Sequence, residues 1–397
     1  MEQFVMEQER KLKLENEYDG VVVGGGIAGI AAALAAKRSG AKTMLIEREY
    51  TLGGLATLGL ITIYLPLCDG TGKLVSSGIA EELLKLSVSY GAEIDVPKEW
   101  KNNELIEKRK RKRYMGRFSA NIMSLLCEEL LVKEGVEILY GTFVCGAFVE
   151  NSTLKYIIIE NKSGRRAVGA GSFVDTTGDA DLAFYSQVDT AMHYEKNKIA
   201  SWYYAHEREQ LKLYSLGVCD DVGEETRTEG EKLDSRICCS GVDTKELSEQ
   251  VIEGHRIIKE HFLKKGNISE EHALVTIATI PQVRMTRRIC GEYILSNPKQ
   301  YQYYEDSIGM VGDWKESGYR YEIPFRCLYN SKVKNLVTAG RCISSNDDMW
   351  DYTRVIPACA VTGEAAGTAA AMSNDFTSLS VKKLQEELVR KGVILHY

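Results

Sequence analysis

The chain has 397 residues, 44% of them hydrophobic, and a formal charge of −6. That size supports a large buried core and two or three subdomains. The acidic balance gives no overall electrostatic reason to expect nucleic acid or an anionic membrane as the main partner, and no apolar run reaches the ~18 residues a membrane helix needs.

Residues 1–17 mix acidic and basic side chains where a secretory signal would carry an apolar run, so they read as a charged leader of a cytoplasmic protein. The ten cysteines are scattered, without CxxC or zinc-type spacing, and fit free thiols in a reducing compartment. The β-branched run Val21-Val22-Val23 breaks into glycines and an alanine-rich helix over 27–38; Gly40 ends it, and 43–46 form a second buried strand closing on Glu47. Residues 117–134 carry helical periodicity, with Ile122, Leu125, Leu126, Leu130 and Leu131 on one face. Strands are predicted at 136–139, 142–149, 154–160 and 172–175, the middle ones forming a small sheet inserted in the same domain. From about 190 to 330 the glycine motifs give way to tyrosines and amphipathic stretches, as expected of a second, α+β substrate or cap domain. The β-α pattern returns at 335–340, followed by a small-residue helix over 357–372 with Pro357 at its first position. The predicted organisation is an α/β Rossmann-type domain (18–189 and 331–375), the cap (190–330) and a C-terminal helix (376–397).

Gly24-Gly25-Gly26-Ile27-Ala28-Gly29 is a GxGxxG between strand and helix, with an acid, Glu47, at the next strand's end. Gly24 permits the tight turn, Gly26 lets the backbone approach a pyrophosphate at the positive helix end, and Gly29 lets helix and strand pack closely. Glu47 would accept ribose hydroxyls and repel a 2′-phosphate. FAD and NAD share this fingerprint.

Further segments carry a resemblance. Tyr18-Asp19 before the glycines, Gly53-Gly54-Leu55-Ala56-Thr57, Asp175-Thr176-Thr177-Gly178-Asp179-Ala180-Asp181, Arg284 with 287–293, 339–344, and Arg354-Val355-Ile356-Pro357 with 363–367 together resemble the FAD-dependent oxidoreductases of the glutathione-reductase-like class. The likeness spans roughly 18–372 and is weakest at 188–268. It implies noncovalent FAD, with Gly24, Gly26, Ile27, Ala28, Gly29, Glu47, Arg48, Gly53, Gly54, Leu55, Ala56 and Thr57 as binding residues and the backbone of Phe143 and Val144 beside the adenine. Gly340-Arg341 would pass the pyrophosphate or ribityl chain, where relatives often carry an acid. The N-terminus of the small-residue helix over 357–372 would face the flavin pyrimidine, stabilising negative charge on the reduced ring.

Catalytic candidates are Arg287, Arg288 and Tyr321: a guanidinium could hold a carboxylate, a phosphate or a developing anion, and Tyr321 precedes the expected wall of the flavin pocket. Asp306, Trp314 and Tyr319 lie in the same stretch, where relatives often show a histidine and this chain has Gly312-Asp313-Trp314. The six histidines form no ligand pattern, and no metal site is expected. No second GxGxxG follows a strand; Gly169-Ala170-Gly171 precedes its strand. Electrons would then pass to oxygen, a free carrier or another protein. The expected function is hydride transfer between flavin N5 and a small organic substrate, with an external electron donor or acceptor as partner. The alternatives are a non-redox, thiazole-synthase-like biosynthetic protein and an RNA-associated flavoprotein. The second rests on the basic run 108–113, which also reads as a solvated loop.

Overall fold

The structure, a computed structural model, describes residues 4–7, 9–193, 197–217, 237–296, 298 and 301–397; Cys219 lies outside them. A seven-stranded sheet organises the chain. Its parallel half places Glu137–Leu139, Thr43–Ile46, Leu14–Val23, the end of Gly164–Asp175 and Leu336–Thr338 side by side. The segment Gly164–Asp175 also pairs antiparallel with Thr153–Asn161, which pairs with Phe143–Glu150. One long strand thus joins the parallel sheet to the meander expected as an insertion. The fold is α/β with a Rossmann-type core.

Two helices cover one face at backbone contact. Ile27–Arg38 and Ile356–Met372 are lined by alanine and glycine, and a Cβ at Gly363 would stand 2.3 Å from the Ala28 carbonyl oxygen, one at Gly367 2.0 Å from that of Ala32. Only glycine permits that approach. Ile356 takes the first helical position and Pro357 the second, one residue later than the sequence suggests. Buried within this helix, the Glu364 carboxylate accepts the Ile79 N–H at 2.8 Å, capping the helix Ile79–Ser87 from another element.

Several boundaries move. The first strand begins at Leu14, inside the expected leader: Leu14 and Glu15 pair with Ala167 and Val168, and Arg166 holds Glu15 at 2.7 Å. Gly169-Ala170-Gly171 lies within a strand, not before one. The helix expected from 117 starts at Ala120, because Gly116–Arg117 is taken up as a strand against Ile63–Tyr64.

The cap is smaller than 190–330. Leu295, Tyr304, Ile308, Val311, Tyr321, Ile323 and Phe325 are buried in the same core as Val22 and Ile27, so this stretch packs onto the nucleotide half. A separate core remains in which the helix Thr244–Lys265 lies on three antiparallel strands, Gln210–Leu216, Ser201–Glu207 and His272–Ile277. Trp202 and Tyr204 meet Leu60 between the two cores. No single helix among the described residues is long and apolar enough to cross a membrane.

Candidate functional site

A cavity of about 790 Å³ runs from the glycine turn to the three-stranded lobe. Its first wall is backbone. Gly24 has φ of +103°, which a side chain resists, and a Cβ there would lie 2.6 Å from the Thr176 carbonyl oxygen. A Cβ on Gly29 would fall 1.8 Å from the Gly24 carbonyl oxygen. Gly26 differs. It caps the helix with ordinary backbone angles (φ −68°), lines the cavity, and a Cβ there would meet nothing within 4 Å. That open space lies at the helix N-terminus, whose first turn has neither an acidic residue nor a side-chain cap, so its amides are available to an anion.

Gly53 and Gly54, both left-handed, close over this turn: the Gly53 N–H donates to the Gly25 carbonyl at 2.8 Å. Thr57 turns away, its hydroxyl donating to the Leu52 carbonyl at 2.5 Å, and it does not line the cavity, whereas Gly53, Gly54, Leu55 and Ala56 do. Thr57 therefore shapes the loop rather than touching what it encloses. Glu47 is buried at the cavity edge, its carboxylate accepting the N–H groups of Gly25 and Glu49. Burial pushes its carboxyl above the usual range, and those two amides pull it back. Arg48, Phe143 and Val144 line the same end.

Beneath the turn stands Asp175, fully buried, accepting both the backbone N–H and the hydroxyl of Thr177 and the N–H of Ala183. Burial raises its carboxyl also. Arg341 is no surface side chain: its guanidinium donates to the Val283 carbonyl at 2.7 Å and to Asp179 at 3.2 Å. Arg287 donates to Asp181 at 2.6 Å and to the Asp179 carbonyl at 2.8 Å, and covers the Phe184 ring. Burial, then the neighbouring Asp179 and Asp175, push the Asp181 carboxyl up to about 6.

Of the three catalytic candidates, only Arg287 lines the cavity. Arg288 lies outside it, since alternation along Arg287–Ile289 sends neighbouring side chains to opposite faces; its guanidinium donates to Asp347 at 3.3 Å and covers the Trp350 ring. Tyr321 is buried in the main core and donates to Asp313 at 2.9 Å. In this structure both side chains are held by partners outside the cavity lining. Asp306 holds Arg326, and Tyr319 and His193 are likewise outside the cavity lining, where Trp314 does appear. Among the described residues no group of His, Cys, Asp or Glu is arranged to hold a metal ion.

The second wall was only partly foreseen. Arg117, Trp202, Arg284, Trp314 and Arg354 line it together with Ile61, Ile63 and Leu65. Arg354 immediately precedes Val355, the N-cap of the helix Ile356–Met372, and Val355, Ile356 and Cys359 face the cavity. That helix also lacks an acid in its first turn. Burial pushes the Cys359 thiol up to about 11, so it stays protonated there. The basic run is locally neutralised, Lys108 pairing with Glu104 and Lys110 with Glu107, while Arg109 covers Trp100.

Comparison with known proteins supplies the remaining observations. The profile of the FAD dependent oxidoreductase family matches residues 19–203 and 195–388. A thioredoxin reductase of Ureaplasma parvum is 36% identical over 72 residues, which is 18% of this chain and 23% of that protein. The chain thus spans under a quarter of the curated relative it matches. Among solved structures, the p-nitrophenol 4-monooxygenase of Pseudomonas putida shares the fold at a TM-score of 0.50 and 14% identity, over 94% of this chain and 84% of that one. A geranylgeranyl bacteriochlorophyll reductase-like protein of Thermoplasma acidophilum aligns over 96% and 84% at a TM-score of 0.47 and 15% identity.

Proposed function

The chain belongs to the FAD-dependent oxidoreductase family, an enzyme family whose cofactor is FAD, and from that premise we propose that it exchanges a hydride between flavin N5 and a small organic substrate held between the two walls. The proposal includes membership of the glutathione-reductase-like class. The observation that carries it is the empty volume over Gly26 at a bare helix N-terminus, a cradle that a side chain would fill.

In this reading Gly24, Gly26, Ile27, Ala28 and Gly29 offer amides and room to the diphosphate, and Glu47 accepts from the ribose. Arg48, Phe143 and Val144 flank the adenine, and Gly53, Gly54, Leu55 and Ala56 line the path toward the ring. When bound, FAD supplies reversible two-electron chemistry at N5. The amides at the start of Ile356–Met372, at the cavity wall, would favour negative charge on the ring. Arg341 and Arg287, tied to Asp179 and Asp181, keep the floor of the cavity rigid and its charges balanced. The Trp202 and Trp314 side exclude water over the substrate. An external carrier or oxygen completes the electron balance.

The test is spectroscopic. Purified protein should be yellow, release FAD on denaturation and bleach anaerobically with a substrate from a broad metabolite panel. Colourless protein that takes up no added FAD would overturn the reading.

A further inference from the structure

Three aromatic side chains stand open to water at the Glu47 end of the cavity. Phe143 is 58% exposed, Phe184 53% and Tyr185 39%, and all three line the cavity. The backbone brings them to one corner. The Thr142 N–H donates to the Glu47 carbonyl at 3.1 Å, which sets the start of the strand Phe143–Glu150 beside Glu47, and the short helix Asp181–Tyr185 packs against that strand. Within the helix, Tyr185 meets Phe184 edge to face, with ring centres 6.2 Å apart. The Arg287 guanidinium lies 4.2 Å from the centre of the Phe184 ring and is itself fixed by Asp181 and the Asp179 carbonyl. The ring is thus backed by a held cation, while just over half of the residue stays exposed in the cavity wall.

Clustered aromatic rings left in water point to a partner that covers them. A protein partner would need them on an outward surface, whereas these share a wall with the glycine turn and Glu47. Phosphate and sugar gain little from such rings; a flat heteroaromatic base gains a stack. A platform already fixed by its neighbours loses little freedom when the base settles on it. Resting on the flavin reading above, we infer that Phe184 is the stacking platform for the adenine of the dinucleotide, with Arg287 behind the ring and Tyr185 and Phe143 bordering it. Phe184 then acts on the adenosine half of FAD alone, and so discriminates FAD from FMN.

Equilibrium dialysis of the full-length protein, stripped of flavin, against FAD, ADP and FMN tests this. Phe184→Ala should weaken FAD and ADP at least about tenfold, the scale of one base stacked on an aromatic ring, and leave FMN within about twofold of the parent. Phe184→Trp, which restores a platform, should keep FAD and ADP within about twofold. Circular dichroism checks the fold, and Phe184→Leu, which keeps apolar bulk without a ring, serves if the alanine variant melts. Unchanged FAD and ADP affinity in a folded Ala or Leu variant, or an equal loss of FMN affinity, would overturn the inference. Parent protein that binds ADP through Phe184 but takes up no FAD would break the flavin reading and leave an adenosine site. Parent protein that binds FAD regardless of Phe184 would break only this inference, and binding of neither FAD nor ADP would break both.

Discussion

The glycine wall comes from two neighbouring segments, 24–29 and 53–57, and is made largely of main chain in conformations that side chains resist. The facing wall gathers Arg117, Trp202, Arg284, Trp314 and Arg354 from five segments and is made of side chains. A backbone wall demands a residue type at each place and so leaves a motif. A side-chain wall demands only that distant residues arrive together, and its parts look ordinary where they stand in the chain. Substitutions should separate the two.

The largest effect is expected at Gly367→Val, where the added Cβ would lie 2.0 Å from the Ala32 carbonyl oxygen and drive the two helices apart. Overpacking against main chain should cost more than about 3 kcal/mol, leaving little soluble folded protein by circular dichroism and thermal melting. Gly26→Val is the same exchange with the opposite result. Its Cβ meets open space, so Tm should stay within a few degrees of the parent while FAD content falls below about a tenth. If Gly26→Val purified fully yellow, the diphosphate would lie elsewhere.

Next comes Glu364, on the helix shared by both walls, whose carboxyl burial pushes up to about 7 from 4.5. A carboxyl raised on folding contributes stability present below the unfolded value and lost as pH climbs through the folded one. Relative to Glu364→Gln, the parent should therefore lose about 2 to 3 kcal/mol between pH 4.5 and 7, read as a difference in urea midpoints across that range. A constant difference would mean that this carboxyl does not change charge there. The smallest effect is expected at Arg288→Gln. Losing the Asp347 contact and the Trp350 stack should cost about 1 kcal/mol and leave flavin content and turnover unchanged; a large drop in turnover would return Arg288 to the site.

What could be read in the sequence follows the same division. The strand, the glycine turn, the helix and Glu47 were legible because each is a local rule of spacing and residue type. The reach of the first strand back to Leu14 was not: a mixed-charge strand looks like a leader until Ala167 and Val168 pair with it. Nor was the extent of the cap. Leu295 to Phe325 carry tyrosines and charges, yet they bury their apolar positions against the helices of the nucleotide half. Arg287 and Arg288 are adjacent and chemically alike, and only strand alternation decides which one faces the cavity. Arg354 was visible as a neighbour of the small-residue helix Ile356–Met372, whereas Trp202, in the run Ser201-Trp202-Tyr203-Tyr204, reads as simple core.

The seam between Ile27–Arg38 and Ile356–Met372 carries a final consequence. Carbonyl oxygens against bare glycines leave no slack, so the two amide-rich helix starts are set apart by a fixed gauge rather than by adjustable side chains. In the reading proposed above, the phosphate and the ring of a flavin nucleotide would each meet one of those marks, and the helix pair would set the span between them.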